Sequence, residues 1–161
     1  MNFRSNQENR FSNQENGFSL LELMITLAVI ALLAMVALPS YQQYQCKGEI
    51  SEMVGPLLAM ADKIRVYRLK NGNYPNDTAG APTGIDMGNY WNQTTELGGN
   101  WNWEGPDVFP YAGIAISSHT ASTAELEMLD RMIDDGDITT GQFRLGANNN
   151  GRPTYIIEDG I

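Results

Sequence analysis

Residues 17–38 read GFSLLELMITLAVIALLAMVAL. From Phe18 onward this is a run of 21 residues with one charge, Glu22, near its start. An apolar helix needs about 20 residues to cross a hydrocarbon core of about 30 Å, so the run is long enough to span a membrane. Glu22 is the informative residue in it. A carboxylate inside a membrane helix is costly, so something must neutralise it. If the chain is cut after Gly17, Phe18 gains an α-amino group one helical turn from Glu22. In an array of parallel, staggered helices the amine of one subunit can then meet Glu22 of its neighbour. Such a pair marks register, because a wrong register leaves both groups unpaired in an apolar medium. The plainer reading puts Glu22 at the headgroup level as an end-of-helix charge.

What precedes the run is polar. Residues 1–17 read MNFRSNQENRFSNQENG, with SNQEN at 5–9 and again at 12–16. The stretch has no apolar periodicity and cannot bury enough surface to fold, so it reads as a leader. A secretory signal peptide is the obvious alternative. The apolar run is longer than the core of about 7–15 residues in such a signal, and no small-residue cleavage site clearly follows it. Cleavage before the run, after Gly17, keeps the apolar helix in the mature protein.

Without the leader and the apolar run, roughly 120 residues remain, enough for one modest globular domain. The formal net charge is -9. Residues 71–161 carry thirteen acids and three bases, Arg131, Arg144 and Arg152. An acidic domain argues against nucleic acid as a partner, since phosphate binding needs clustered Lys and Arg. Cys46 is the one cysteine, which rules out an intrachain disulfide; it reads as a small buried hydrophobe.

Pro39 closes the apolar run and predicts a weak point or kink. Beyond it Tyr41, Tyr44, Ile50, Val54, Leu57, Leu58, Ala61, Ile64 and Leu69 recur mostly every three or four residues, one face of a continuing helix. Gly55-Pro56 predicts a second bend, and Asn71-Gly72 after Lys70 a helix stop. Residues 73–110 are rich in Pro and Gly and hold all three tryptophans, Trp91, Trp101 and Trp103. They predict a long loop with short regular pieces. Its tryptophans either anchor it to the core or form an exposed glycan-binding platform. Residues 111–117, YAGIAIS, predict a strand. Ser122 with Glu125 predicts a capping box opening a helix, with Leu126, Leu129, Met132 and Ile133 as its apolar stripe. Two more strands are expected at 142–145 and 154–157, joined through Asn148-Asn149-Asn150-Gly151 as a hairpin. The division is therefore 1–17 leader, 18–39 apolar helix, 40–72 amphipathic half of the same helix, and 73–161 head. The fold class is α+β: a long helix against a small antiparallel sheet.

The order Gly17, Phe18, Glu22, apolar stretch, Pro39 resembles the type IV pilin family, including the pseudopilins of type II secretion. A Gly before the cut, Phe after it and Glu four residues on match the family's leader motif. Pro39 and Tyr41 fall where the family commonly has a proline and an aromatic, and 66–75 look like its end of the long helix. The resemblance implies cleavage by prepilin peptidase after Gly17 and N-methylation of Phe18. It also implies an assembly and register role for Glu22 and Pro39, and packing of the helix into a filament core. The partners it implies are identical or homologous pilin subunits, the peptidase and an inner-membrane assembly platform. The implied location is the inner membrane first, then an extracellular pilus or a periplasmic pseudopilus. Two features depart from the family. Its leaders usually carry Lys or Arg just before the Gly, whereas here Asn13-Gln14-Glu15-Asn16 stand there. Many members also staple the head with a disulfide, which one cysteine cannot form.

Asp134, Asp135 and Asp137 around Gly136 have calcium-like chemistry, hard oxygen ligands at a tight turn, without the spacing of an EF-hand. The plainer reading is a solvated helix C-terminus. Catalytic patterns are absent from the sequence: His119 is the only histidine, and neither a phosphate-binding glycine loop nor Cys/His metal spacing occurs. The sequence thus points to a structural filament subunit, a pilin or minor pilin, with a secretion pseudopilin as the nearer alternative. A membrane-anchored extracytoplasmic binding protein or enzyme is the alternative of another class.

Overall fold

The computed structural model describes residues 17–161, so the expected leader, Gly17 apart, lies outside the described residues. In chain order come α1 (Leu20–Asn71), a 3-10 turn (Asn89–Asn92), β1 (Asn100–Glu104), β2 (Tyr111–Ser117), α2 (Thr123–Ile133), β3 (Phe143–Leu145) and β4 (Pro153–Asp159). The chain divides into two units after Tyr41.

In the first unit the chain enters α1 through Ser19, whose carbonyl accepts from the Leu23 N–H at 3.2 Å. The helix is apolar on every side, so no face is set aside for a core. Each described residue up to Tyr41 is exposed except the half-buried Ala34. By length and composition this stretch can cross a membrane.

In the second unit Ile50, Met53, Leu57, Met60, Ala61 and Ile64 of α1 are buried. They recur at three, four and seven residues, the stripe of one helix face. Four of them were expected from the sequence. Met53 and Met60 complete the stripe, whereas Tyr41, Tyr44 and Leu69 are exposed. Neither Pro39 nor Gly55-Pro56 interrupts α1. Each proline removes one hydrogen bond from a long ladder, and around Pro56 the buried Met53, Leu57 and Met60 hold the helix in place. The stop falls where expected: Gly72 takes φ 81, and its N–H donates to the Arg68 carbonyl at 2.8 Å, closing the last turn in the left-handed manner that glycine permits.

The sheet is wholly antiparallel, in the order β1-β2-β4-β3. Central β2 is buried at every position from Tyr111 to Ile116. The strand absent from the sequence reading is β1, NWNWE. Asn and Glu are poor strand formers, but Trp101 and Trp103, two residues apart, share one pleat face. That face is buried, with Trp103 fully so. The Trp103 indole N–H reaches the carbonyls of Pro75 and Asn76 at 3.2 and 3.1 Å, and its own backbone N–H donates to the Gly80 carbonyl at 3.1 Å. The tryptophans therefore anchor the 73–110 segment to the core. Burial of Trp91, Trp101 and Trp103 overturns the exposed glycan platform. The predicted capping box of α2 is present: the Ser122 side chain accepts from the Glu125 N–H, and the Glu125 carboxylate accepts from the Ser122 N–H at 2.7 Å. β3 and β4 pair as the expected hairpin, with Asn148 and Asn150 both at φ 64 in the turn.

Candidate functional site

Phe18 is 83 % exposed at the head of the apolar helix. Ser19 and Glu22 form a second capping arrangement there. The Ser19 N–H donates to Glu22 Oε2 at 3.2 Å, and the Leu21 N–H donates to Ser19 Oγ at 3.3 Å. The Ser-x-x-Glu spacing 19–22 carried this signal, which the sequence reading did not draw. Glu22 thus has a local role before any neighbour is present. Its charge sits in the first turn, where exposed N–H groups favour an anion. One carboxylate with two oxygens can accept from Ser19 and still meet a second donor. Pro39, one helix segment on, is exposed. Because it has no N–H, it leaves the Met35 carbonyl unpaired within the ladder.

The acidic residues fall differently from the expected Asp134, Asp135 and Asp137. The structure brings Asp134 and Asp135 together with Asp130 of α2, carboxylate oxygens within 4.8 Å of one another. Asp137 turns away: its Oδ1 accepts from the Thr139 N–H at 3.0 Å and from the Thr139 hydroxyl at 2.6 Å. Asp130 is fully buried, and among the described residues no hydrogen bond of ordinary geometry reaches its carboxylate oxygens. Burial, then the negative charges of Asp135 and Asp134, push its carboxyl up to about 6; the Gly136 N–H opposes this only weakly. Asp130 was missed because a single Asp on an amphipathic helix carries no sequence signal of burial.

A second buried carboxylate, also missed, is Glu104 at the end of β1. It is fully buried, but its oxygens are well served. The Tyr111 hydroxyl donates at 2.7 Å, and the Asn149 amide donates to both oxygens at 3.0 and 2.9 Å. Arg152 completes the set at 3.4 Å. Burial raises its pKa, and these partners oppose the rise. The network ties the β3–β4 turn to β1, a polar staple in a head that has no disulfide. Cys46 is half-buried and donates to the Glu125 carboxylate at 3.6 Å. Burial first, then the Glu125 charge, raise its thiol pKa. His119 follows β2, with its buried Nδ1 unpaired.

Residues 12–38 match the prokaryotic N-terminal methylation motif. The chain is 39% identical over 87 residues to a fimbrial protein of Neisseria meningitidis serogroup A, covering 52% of this chain and 50% of the relative. It is 44% identical over 69 residues to the type IV major pilin protein PilE of Neisseria gonorrhoeae, covering 42% of this chain and 40% of the relative. It is 49% identical over 47 residues to fimbrial protein Q of Moraxella bovis, covering 29% of this chain and 30% of the relative. The matched stretch spans about half the length, or less, of these curated relatives. In three dimensions the chain resembles the major type IV pilin PilA1 of Clostridium difficile, with a TM-score of 0.51 at 13% identity, covering 72% of this chain and 98% of that one. At that identity the likeness speaks for the fold: a long N-terminal helix with a small antiparallel sheet. Methylation motif, curated relatives and fold agree: over its N-terminal part the chain is similar to type IV pilins, and its fold is pilin-like.

Proposed function

We propose that the chain is a structural subunit, a pilin or minor pilin, of a type IV pilus-like filament. Prepilin peptidase cuts it between Gly17 and Phe18, and Phe18 is then methylated at its new amine. The observation that carries this reading is the first unit: an apolar helix exposed on all sides, headed by one carboxylate, lying within a matched methylation motif. Such a surface is stable in two settings, lipid or a bundle of its own kind. The subunit is therefore membrane-held before assembly and buried among identical or homologous subunits afterwards. An inner-membrane platform moves it from one setting to the other, and the finished filament lies outside the cell. The new Phe18 amine of one subunit pairs with Glu22 of the next, replacing the Ser19 contact or adding to it. The role is assembly, with no reaction assigned to the head.

Intact mass spectrometry of the protein co-expressed with a prepilin peptidase tests the processing step. Loss of residues 1–17 with one added methyl group on Phe18 is expected. An uncut chain, or cleavage after Leu38, would remove the basis for the filament reading. Detection of the protein in sheared surface filaments then separates a pilus subunit from a secretion pseudopilin.

A further inference from the structure

We propose that the β1–β2 turn of one head seats in a groove on α1 of a second copy of this chain, so that each head carries both a knob and a socket. The inference rests on the filament reading above and names the surfaces by which heads meet. The knob is Asp107-Val108-Phe109. Val108 is 61 % exposed, the most exposed large apolar side chain among the described residues after α1. It is held in one shape. The Val108 and Phe109 N–H groups both donate to the Gly105 carbonyl, at 3.1 and 3.0 Å. The Asp77 N–H donates to Asp107 Oδ1 at 2.6 Å, and the Phe109 ring stacks on Tyr111 with centroids 5.8 Å apart. A turn already fixed in this way loses little freedom on docking.

The socket is an open groove of about 680 Å³ between α1 and the 84–86 segment, with Lys63, Val66, Tyr67, Lys70 and Ile85 in its lining. The outer face of a helix packed on a core is ordinarily polar. Here Val66 is 46 % exposed, and Tyr67 and Ile85 are half-buried beside it. The acids of the groove already have partners: Asp62 pairs with Arg65 at 2.8 Å, and Asp86 Oδ1 accepts from the Gly88 N–H at 2.9 Å. Lys63 donates to the Asp86 carbonyl at 2.8 Å. Among the described residues no ion pair involves Lys63, Lys70 or Asp107. The groove thus offers an apolar floor with two lysines, and the knob offers an apolar side chain next to an acid. This complementarity selects a second copy as the occupant. Position decides how copies add. At about 3.6 residues per turn, Lys63, Val66, Tyr67 and Lys70 fall on one flank of the buried α1 stripe, and Arg65, Arg68 and Leu69 on the other. Asp107 shares a cleft with Arg68, so knob and socket lie on opposite flanks of α1. Two unlike surfaces on one subunit make a head-to-tail contact, which can add copies without limit, whereas a self-complementary patch stops at two.

The test uses the full chain, assembled in cells that make the filament, in a Cys46→Ser background. Val66→Cys and Val108→Cys are combined in one chain, and sheared filaments are oxidised with copper phenanthroline. A disulfide needs Cα atoms about 4.4–6.8 Å apart. Docking therefore predicts a ladder of covalent dimers, trimers and higher oligomers on a non-reducing gel, while each single variant stays monomeric. Charge exchange is the second arm. Asp107→Lys should lower filament yield at least about tenfold by placing like charges together. Adding Lys63→Asp and Lys70→Asp to that chain should restore the yield, which repair of a misfolded turn would not do. Filaments without a ladder overturn the docking and leave the filament reading standing. Dimers from Val108→Cys alone overturn it as well, because they show knob meeting knob. If the double-cysteine chain does not assemble, the charge exchange decides, and failure to restore the yield overturns the proposal. Absence of filaments from the wild-type chain removes the filament reading itself, and the docking with it.

Discussion

At the scale of single residues, three carboxylates show how environment divides one chemistry among several roles. Glu22 caps the helix that carries it, accepting from the Ser19 N–H, and its remaining lone pairs are free for a neighbour. Glu22→Ala should leave membrane insertion intact, because it makes the run more apolar, and should reduce filament yield sharply. Membrane fractionation and the protein content of sheared filaments measure the two effects, and filaments at wild-type level would sink the pairing argument. Glu104 is buried and depends on its donors. Asn149→Ala removes the amide that serves both oxygens and should cost about 1–3 kcal/mol, the penalty for a buried acceptor losing its partner. Urea denaturation of the variant reads this directly. Asp130 is buried beside Asp134 and Asp135, and burial together with their charges pushes its carboxyl up to about 6.

At the scale of elements, α2 is set by its cap and its stripe. Ser122 and Glu125 satisfy each other's N–H groups, and Leu126 and Leu129 turn into the core. Ser122→Ala should cost about 1 kcal/mol of stability, seen as a lower thermal midpoint. The Ser122 hydroxyl, then its N–H, hold the Glu125 carboxyl below its ordinary value of 4.5. A lowered folded pKa means the folded state favours the charged form. The contribution is therefore complete above 4.5 and fades as pH falls through the lower folded value. Melting curves from pH 7 down to pH 3 should show this loss in the wild type and a flatter profile in Ser122→Ala. β1 is the opposite kind of element. Its sequence alone is a poor strand, and it exists because Trp101 and Trp103 need burial and because β2 offers a ladder.

At the scale of the whole molecule, the two units obey different rules. Up to Tyr41 the helix is exposed apolar surface, stable only in lipid or among like helices. From Gln42 the chain contains its own core, running from Ile50 of α1 to Ile156 of β4. A fragment of residues 42–161 should therefore be soluble, melt cooperatively and keep the near-UV circular dichroism of its buried tryptophans. A fragment that aggregates or lacks that signal would show that the head needs the apolar helix to fold.

Local patterns were legible without coordinates. The apolar run, the charge at Glu22, the Ser122 cap, β2 and the β3–β4 hairpin depend on residues close in the chain, whose spacing encodes them. Two thirds of the α1 stripe was legible for the same reason, while the methionines that complete it are too adaptable to announce burial. The rest depended on residues far apart in sequence. That β1 is a strand, that the tryptophans face inward, that Glu104 meets Asn149, and that Asp130 rather than Asp137 joins Asp134 and Asp135 were decided by the fold alone. Burial and donor supply are properties of neighbours in space, and no window along the chain contains them.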